Sequence, residues 1–348
     1  MAALVRGNRW EIDLNNSVFV IAEAGVNHNG SMDLAKQLVD AAIEAHADAV
    51  KFQSFSAKRL VRENTELVPY QRGSAKDHFE LLKELELSEA QQRELADYSR
   101  LRGIKFLSTP YSQQDAELLV ALGMDIIKVA SADIVDLRLH RFLCDKKVTV
   151  LASTGMAEMS EVTRLAALYE SYGNLENLWL MQCVSNYPSA INSQNLRVLE
   201  SYKKLVGNRI GFSDHTGSPV PALVAVGAGA TVFEKHLTLD RTMKGPDHAA
   251  SLEPNDFSEY VRNLRLAFES LGSELKQPQP EELEMRRISR KGLYFRRRVS
   301  AGQNIGWEDL DLLRPAQGVD AWATLLALPR VAESNFEEGE LFGRGDHE

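Results

Sequence analysis

The sequence has few cysteines and no long apolar run. Only Cys144 and Cys183 occur among 348 residues, which excludes a disulfide framework and favours a reducing cytoplasm. No uninterrupted apolar stretch approaches the roughly 18 residues of a membrane span, so we expect no transmembrane segment. Residues 1–7 lack the apolar core of a signal peptide. These absences predict a cytoplasmic protein that does not associate with a membrane.

Positive charge is also scarce. The chain has 40 Lys and Arg residues against 49 Asp and Glu residues, a formal net charge of −9. No basic stretch stands out that would neutralise several phosphates, so we expect no nucleic-acid partner. A small anionic substrate is compatible with this balance, because it responds to the local charge inside a cleft. Internal repeats are absent, and no G-x-G-x-x-G motif follows the first apolar run.

Eight short apolar runs alternate with longer helical patterns. The runs are rich in Val, Ile, Leu and Phe, as expected of strands buried on both faces. The predicted strands are Val18–Ala24, Ala47–Ser54, Lys105–Thr109, Asp125–Ser131, Thr149–Ser153, Leu178–Val184, Arg209–Ser213 and Ala230–Lys235. The predicted helices include Met32–Ala45 and Glu89–Leu101, capped by Ser31 and Ser88, and Glu158–Tyr172, Asn195–Lys204, Pro219–Gly229 and Pro254–Leu271. This α/β rhythm over roughly 260 residues predicts a (β/α)8 TIM barrel, with a doubly wound open sheet as the alternative.

The composition changes after Leu271. Residues 272–286 are polar and contain prolines, which is typical of a linker, so 1–271 is the predicted barrel domain. The last segment, 287–348, contains the β-like runs Gly292–Arg296 and Leu310–Leu313. A domain of that size is marginal on its own, and we expect it to dock on another surface.

Two histidines lie where barrel enzymes build their active sites, at the carboxyl ends of strands. His215 follows the run Gly211–Asp214, and His236 follows Phe233–Lys235. Two imidazoles at adjacent strand tips can share one divalent cation, since neutral imidazole suits Mn, Fe, Co and Zn. Either histidine alone is better explained as half-buried and hydrogen-bonded. Together they predict a metal site.

Two lysines lie near the ends of other strands. Lys51 and Lys128 are accompanied by the hydroxyls of Ser131, Ser153 and Thr154. Lysine supplies charge for a phosphate, and hydroxyls supply directional hydrogen bonds. The alternative is that both lysines pair with carboxylates and only hold the barrel rim. An anion cradle is favoured because there are two lysines and both have hydroxyls nearby.

Two carboxylates complete the candidate site. Glu23, at the tip of the first strand, can act as an acid or base near a metal. Its structural alternative is an ion pair with Lys51, and the two roles are compatible because a lysine keeps a carboxylate ionised. Asp247 follows a Gly-Pro turn and can bind sugar hydroxyls or cap the next residues. The set predicts metal-assisted chemistry on a phosphorylated or carboxylated small molecule.

In this order, the motifs resemble the N-acetylneuraminate (sialic acid) synthase family, which includes legionaminate, pseudaminate and spore-coat polysaccharide synthases. The matching segments are Val20–Gly30, Val50–Gln53, Ser108–Pro110, Ser153–Met156, Phe212–Thr216, Glu234–His236 and Gly245–Asp247. In the tail, Arg314-Pro315 and Phe336–Gly339 resemble the family's small antifreeze-protein-like (SAF) domain. The resemblance covers essentially the whole chain.

The resemblance implies a transferase that condenses phosphoenolpyruvate with the open-chain form of an N-acetylmannosamine-type sugar, with C–O cleavage and release of phosphate. It implies Mn²⁺, or another divalent metal, on His215 and His236. The catalytic residues that it implies are Glu23, Lys51 and Lys128. The implied substrate-binding residues are Gln53, Thr109, Ser131, Asp133, Ser153, Ser185, Tyr187, Ser213, Asp247 and Arg314.

The same resemblance divides these roles between two substrates. Phosphoenolpyruvate is expected on Lys51, Lys128, Ser131, Ser153 and Ser213, and the sugar on Gln53, Tyr187 and Asp247. Arg314 is expected to reach the sugar's N-acetyl group from the neighbouring subunit, because homodimers of the family swap the small domain onto the partner's barrel. A domain-swapped homodimer is therefore the expected assembly.

The chain departs from the family pattern in places. Gln182 stands where histidine is common, Asp133 shortens a carboxylate that would face the sugar, and Ala316–Gly318 differs from the usual sequence after Arg-Pro. Two other functions fit part of the pattern. One is a metal-dependent TIM-barrel phosphosugar isomerase or epimerase, which needs no phosphoenolpyruvate. The other is a non-catalytic sugar-binding protein, which is disfavoured because binding alone does not need the whole set of ionisable residues.

Overall fold

Eight parallel strands form the centre of the first of two units of the chain, Met1–Gly272; the second unit is Ser273–Glu348. The computed structural model describes residues 5–6, 9–10, 17–63, 65, 78–316 and 319–343. The strands are β1 (Phe19–Gly25), β2 (Ala49–Ser54), β3 (Lys105–Pro110), β4 (Ile126–Val129), β5 (Thr149–Ser153), β6 (Leu178–Gln182), β7 (Ile210–Asp214) and β8 (Val232–His236). Hydrogen bonds join them in the order β3-β2-β1-β8-β7-β6-β5-β4, and β3 contacts β4. The barrel nearly closes, which confirms the predicted TIM-barrel architecture.

All eight predicted strands are present; the ends of Thr149–Ser153 are as predicted, and the ends of the others are shifted by one or two residues. One such shift is at β4, which was predicted as Asp125–Ser131 but ends at Val129. Its end is set by a 3₁₀ helix, Ser131–Val135, which turns the chain immediately after the strand. A short antiparallel pair, Val5–Arg6 with Arg9–Trp10, precedes the barrel.

Helices follow or flank the strands. They are Met32–Glu44, Ala57–Leu60, His78–Leu85, Glu89–Arg102, Gln113–Ala121, Leu137–Lys146, Met159–Ser171, Val198–Val206, Val220–Gly227 and Pro254–Leu271. The predicted caps are confirmed: Ser31 accepts a hydrogen bond from the Leu34 amide, and Ser88 forms a capping box with Gln91. In the described part of the chain, no helix has the length and apolar character needed to cross a membrane.

Side chains alternate between the two faces of the barrel wall. Outward residues such as Val20, Val50 and Phe233 pack under the helices in the main core. Inward residues form a separate apolar plug: Phe19, Ile21, Ala49, Leu107, Ile126, Leu151, Trp179, Met181 and Val232. Because successive strand residues face opposite sides, the next inward position on each strand lies one layer closer to its carboxyl end.

The second unit is a small β structure with its own core. A helix, Leu283–Ser289, spans the predicted boundary between the linker and the small domain and precedes β9 (Gly292–Phe295), β10 (Asn304–Ile305) and β11 (Leu310–Leu313). Helix Ala321–Leu326 and β12 (Arg330–Val331) follow. β9 pairs with β11, and β10 with β12, both antiparallel. Leu293, Phe295, Val299, Ile305, Leu310, Ala332 and Phe342 form the core. Gln317 and Gly318, part of the departure noted at 316–318, lie outside the described residues, as do residues 1–4 and 7 of the amino-terminal segment.

Candidate active site

A polar layer lies directly above the apolar plug. On each strand, the inward residue two positions beyond the plug is polar or ionisable, or is a cysteine. This layer consists of Glu23, Lys51, Thr109, Lys128, Ser153, Cys183, Ser213 and Glu234. On β7 the plug position is Gly211, where a Cβ would lie 2.6 Å from the Val232 carbonyl oxygen, so the neighbouring strand already fills that space. The layer places buried polar groups at the carboxyl end of the barrel, where barrel enzymes bind substrate.

Glu23 and Lys51 form a buried ion pair at the tips of β1 and β2. Lys51 Nζ lies 2.7 Å from Glu23 Oε2 and donates a hydrogen bond of 2.8 Å to Thr109 Oγ1. Gln53 Nε2 donates to the other Glu23 oxygen at 3.0 Å. Burial raises the pKa of Glu23 to about 7, more than Lys51 and Gln53 lower it. The ion pair foreseen as an alternative is therefore present, and Glu23 can still exchange a proton near neutral pH.

Glu234, on β8, lies between the two lysines. Its oxygens are 3.8 Å from Lys51 Nζ and 3.9 Å from Lys128 Nζ, and Ser213 Oγ donates to Oε1 at 3.1 Å. Burial opposes its ionisation, but Lys128 and Lys51 outweigh that effect, and the pKa of Glu234 is about 2. The sequence motifs include Glu234 but predict no role for it. The signal was available, since Glu234 is two residues before His236 and so faces the same side of its strand.

Lys128 lies beside a group of hydroxyls. Its Nζ donates to Ser153 Oγ at 2.6 Å and to the Val129 carbonyl at 3.0 Å. Burial lowers the pKa of Lys128. Lys128 has the carboxylate neighbour that the structural alternative requires, at 3.9 Å, and it also contacts a hydroxyl directly. Anion binding by Lys128 stays a prediction.

The loop after β5 extends this hydroxyl group around Gly155. The Gly155 amide donates to Ser131 Oγ at 3.0 Å, and Ser131 Oγ lies 3.0 Å from Cys183 Sγ. A Cβ on Gly155 would lie 2.9 Å from Ser131 Oγ and 2.8 Å from Cys183 Sγ, and would collide with Ser185 Oγ. Cys183 was not predicted as a site residue. The predicted residues Ser131 and Ser185 therefore surround one glycine whose lack of a side chain makes room for them.

The two predicted metal ligands are neighbours. The ring centroids of His215 and His236 are 5.7 Å apart, and the Tyr187 ring lies over His215 at 4.1 Å and edge-on to His236 at 5.6 Å. His215 Nδ1 is 2.8 Å from the Val184 carbonyl oxygen, which can only accept a hydrogen bond, so Nδ1 carries the proton. His236 Nδ1 is buried without a hydrogen-bond partner and lies 3.8 Å from Asp247 Oδ2.

This donor set fits a divalent cation. Burial lowers the pKa of both imidazoles, so both are neutral, and the bond to Val184 leaves His215 Nε2 unprotonated, with Ser213 Oγ 3.5 Å away. A carbonyl that orients the second nitrogen is the usual outer partner of a metal-binding histidine. Among the described residues, however, no three His, Cys, Asp or Glu side chains are grouped as a ready-made ligand set. The residues fit an open site with two protein ligands rather than a closed cage.

Asp247 lies on the same side of the site as Glu23 and Gln53. A Cβ on Gly25 would be 3.2 Å from Glu23 Oε1, 3.3 Å from Gln53 Nε2 and 3.5 Å from Asp247 Oδ2, so the three polar atoms surround a glycine. Gly25 has a φ of +53°, a conformation that a side chain disfavours. Burial raises the pKa of Asp247 to about 6.

Three more residues were predicted or noted from the sequence. Asp133 is on the 3₁₀ helix after β4, with a buried Oδ2 that has no hydrogen-bond partner, and burial raises its pKa to about 7. Arg314 belongs to the second unit, directly after β11. Gln182 points outward from β6, where it accepts from Tyr202 and donates to the Gln194 carbonyl. Its departure from the family pattern therefore concerns packing outside the barrel and not the sugar side.

A (β/α)8 barrel with two buried lysines, two buried glutamates and two neutral imidazoles at its carboxyl end defines a barrel enzyme that acts on anionic small molecules. A profile described as the NeuB family matches residues 38–276. The chain belongs to this family, as the motifs predicted.

Named relatives agree with that assignment. The chain is 41% identical to N,N'-diacetyllegionaminic acid synthase of Legionella pneumophila over 86% of each chain. It is 35% identical to human N-acetylneuraminate-9-phosphate synthase, covering 79% of this chain and 77% of the relative. A crystal structure of N-acetylneuraminic acid synthetase from Leptospira borgpetersenii, in complex with citrate, matches with a TM-score of 0.72 and 31% identity, covering 81% of this chain and 94% of that one.

Proposed function

We propose that this protein is a nonulosonic acid synthase, which joins phosphoenolpyruvate to the aldehyde of an open-chain N-acetylated amino sugar and releases phosphate. The observation that carries the proposal is the buried arrangement of Lys51 and Lys128 around Glu234, in a chain of the NeuB family. The names of its relatives, synthases of legionaminic acid and of N-acetylneuraminate 9-phosphate, support the same reaction.

The charges of the site favour a polyanion together with a cation. Glu234 neutralises one of the two lysines, Glu23 has a pKa near 7, and Asp247 has a pKa near 6, so the site without substrate is close to neutral. Phosphoenolpyruvate carries both a phosphate and a carboxylate. A divalent cation would supply the additional positive charge that burying such a ligand requires.

We infer that this cation is Mn²⁺, or another divalent metal, and that His215 and His236 hold it. When bound, it polarises the aldehyde oxygen of the sugar. The Val184 carbonyl fixes the orientation of the His215 ring, and the Tyr187 ring lies close to both imidazoles, which are themselves buried.

Each part of the reaction has residues suited to it. C3 of phosphoenolpyruvate forms the new C–C bond with the aldehyde carbon, and the aldehyde oxygen takes up a proton to become a hydroxyl. Water adds its oxygen to C2, the bond from C2 to the phosphate oxygen breaks, and C2 becomes a ketone as the second proton of the water leaves with the phosphate. Lys51 and Lys128 hold the anionic groups together with Thr109, Ser131, Ser153, Ser185 and Ser213. Glu23 accepts the first proton that the water loses, since its pKa lies near neutrality. Gln53, Tyr187, Asp247 and Asp133 are left to face the sugar.

We further propose that the second unit is an SAF domain and that it completes the site of a second subunit in a domain-swapped homodimer. In this unit Trp307 is 60% exposed and Trp322 is 79% exposed. Exposed tryptophans are typical of surfaces that bind a partner. A mixed dimer of a His215→Ala chain and an Arg314→Ala chain tests this proposal. In that dimer, the barrel that keeps His215 receives the small domain that keeps Arg314, so one site is intact and gives activity that neither parent dimer has. Hybrids no more active than their parents would rule out Arg314 acting across the dimer.

The reaction is tested by phosphate release from phosphoenolpyruvate with a panel of N-acetylated sugars, with Mn²⁺ and with a chelator. The panel contains N-acetylmannosamine and 2,4-diacetamido-6-deoxy hexoses; the latter come first because of the 41% identity to the legionaminic acid enzyme. We expect release with one sugar and none with the chelator. Sugar interconversion without phosphoenolpyruvate would favour the isomerase or epimerase, and sugar binding without any turnover would favour the binding protein.

Cytoplasmic location stays a prediction; both cysteines are free, which agrees with it.

A further inference from the structure

A second buried ion pair lies on the outer side of the barrel wall, behind the two histidines. Lys235 Nζ is 3.1 Å from Asp214 Oδ2, and the two side chains are 2% and 0% exposed. They face outward because Ser213 and Glu234, their neighbours in sequence, face inward. Lys235 and Asp214 are also direct partners in the ladder between β7 and β8. The pair therefore joins the last rung of the two strands immediately before His215 and His236.

The same pair holds the chain on the far side of His215. Asp214 Oδ1 accepts hydrogen bonds of 2.8 Å from both the amide and the hydroxyl of Thr216, and Lys235 Nζ donates to the Thr216 carbonyl. The residues on either side of His215, Asp214 and Thr216, are thus both held in place by the Asp214–Lys235 pair. From outside, Lys235 lies over the ring of Tyr260 at 5.7 Å, on the helix Pro254–Leu271. The helix layer and the strand tips are connected through Lys235.

We propose that Asp214 and Lys235 are positioning residues that set the separation and orientation of the His215 and His236 imidazoles. This inference rests on the proposed metal site. A buried ion pair adds little net stability over apolar side chains of similar volume, because desolvation offsets the attraction. Metal ligands, in contrast, must be held within about 0.5 Å of their productive positions. The buried pair is therefore expected to contribute more to the positions of the two histidines than to the stability of the fold.

Variants with matched controls separate these effects. Asp214→Asn and Lys235→Met each break the pair, and the double variant removes both charges while keeping their volume, so it folds even where a single variant is unstable. The control is Lys105→Met, which breaks the Lys105–Asp125 pair of 3.0 Å at the amino end of the barrel, the end opposite to His215 and His236. Two quantities are measured besides thermal unfolding: Mn²⁺ affinity by calorimetry, and the imidazole resonances of labelled histidine in the metal-free protein.

We expect the double variant to stay folded, to bind Mn²⁺ about 10-fold to 100-fold more weakly, and to shift the His215 and His236 resonances. Lys105→Met should change only the unfolding temperature. A folded double variant with wild-type Mn²⁺ affinity and unshifted resonances would overturn the inference. If the unaltered protein binds no Mn²⁺, the proposed metal is wrong, and the metal-free resonances still decide whether the pair positions the rings.

Discussion

Glu23 and Lys51 are direct neighbours in the ladder between β1 and β2, and their charged atoms lie 2.7 Å apart with each side chain 3% exposed. Desolvation offsets most of the attraction in such a pair, but removing one partner leaves the other charge buried and alone. The pair therefore couples the proton-exchanging group of the proposed mechanism to one of its two anion-binding groups, and it makes their effects on stability strongly non-additive.

Lys51→Met should lower the free energy of unfolding by about 3 kcal/mol, because Glu23 then loses its counterion. The double variant Glu23→Gln/Lys51→Met should lose clearly less than the sum of the two single variants. Urea unfolding of all four proteins gives the coupling. Additive losses would contradict a tight ion pair. Turnover should be abolished in every variant, since the proposed mechanism places both groups against the substrate.

Glu234→Gln should bind inorganic phosphate more tightly, by about 10-fold, because Lys51 and Lys128 lose the carboxylate that neutralises them. Synthase turnover should nevertheless fall, since the lysines lose the group that positions them. Calorimetric titration with phosphate measures the first effect. Glu161→Gln, on the helix Met159–Ser171 outside the barrel, is the control and should leave phosphate affinity unchanged. Weaker binding in Glu234→Gln would mean that the lysines are not the anion-binding groups.

Gly155→Ala should raise the KM for phosphoenolpyruvate at least about 10-fold and lower stability by about 1–3 kcal/mol. The added methyl group would displace the side chains of Ser131, Cys183 and Ser185 together. Steady-state kinetics and thermal unfolding measure both effects. Gly227→Ala, at a helix end with open space around it, is the matched control and should alter neither KM nor turnover. An unchanged KM in Gly155→Ala would remove these hydroxyls from the binding site.

Asp133→Asn should be more stable than the unaltered protein at pH 8, by on the order of 2 kcal/mol, and equally stable at pH 4. Burial, with a smaller contribution from Asp136, raises the pKa of Asp133 to about 7. The folded protein then keeps a proton that the unfolded chain releases at about pH 4, so the stability of the unaltered protein falls as the pH rises from about 4 to 7. Asparagine does not ionise and avoids that loss. Equal unfolding temperatures for the two proteins at every pH would show that Asp133 is well solvated.

The predictable part of the site came from residues that end strands. Eight apolar runs of regular spacing, each followed by a polar residue, indicate a parallel barrel with its site at one end, because parallel strands all end on the same edge. Glu23, Lys51, Lys128, His215 and His236 were found in this way. Glu234 and Cys183 were not predicted, because a uniformly apolar run does not show which of its residues face the inside of the barrel. Because successive residues of a strand face opposite sides, alternate positions point into and out of the barrel, and this alternation assigns Lys235 to the outer face.

The amino-acid sequence by itself determined the architecture, the family and the identity of the ionisable groups, because hydrophobic periodicity and ordered motifs are local properties of a chain. The tertiary structure decided which of these groups meet. The sharing of Glu234 by two lysines, the contact of Tyr187 with His215 and the pairing of Lys235 with Asp214 join residues from different strands or loops. Their distances and their burial depend on the register and closure of the barrel, and burial in turn shifts each group's pKa. Neither the distances nor the burial can be obtained from the order of residues along the chain.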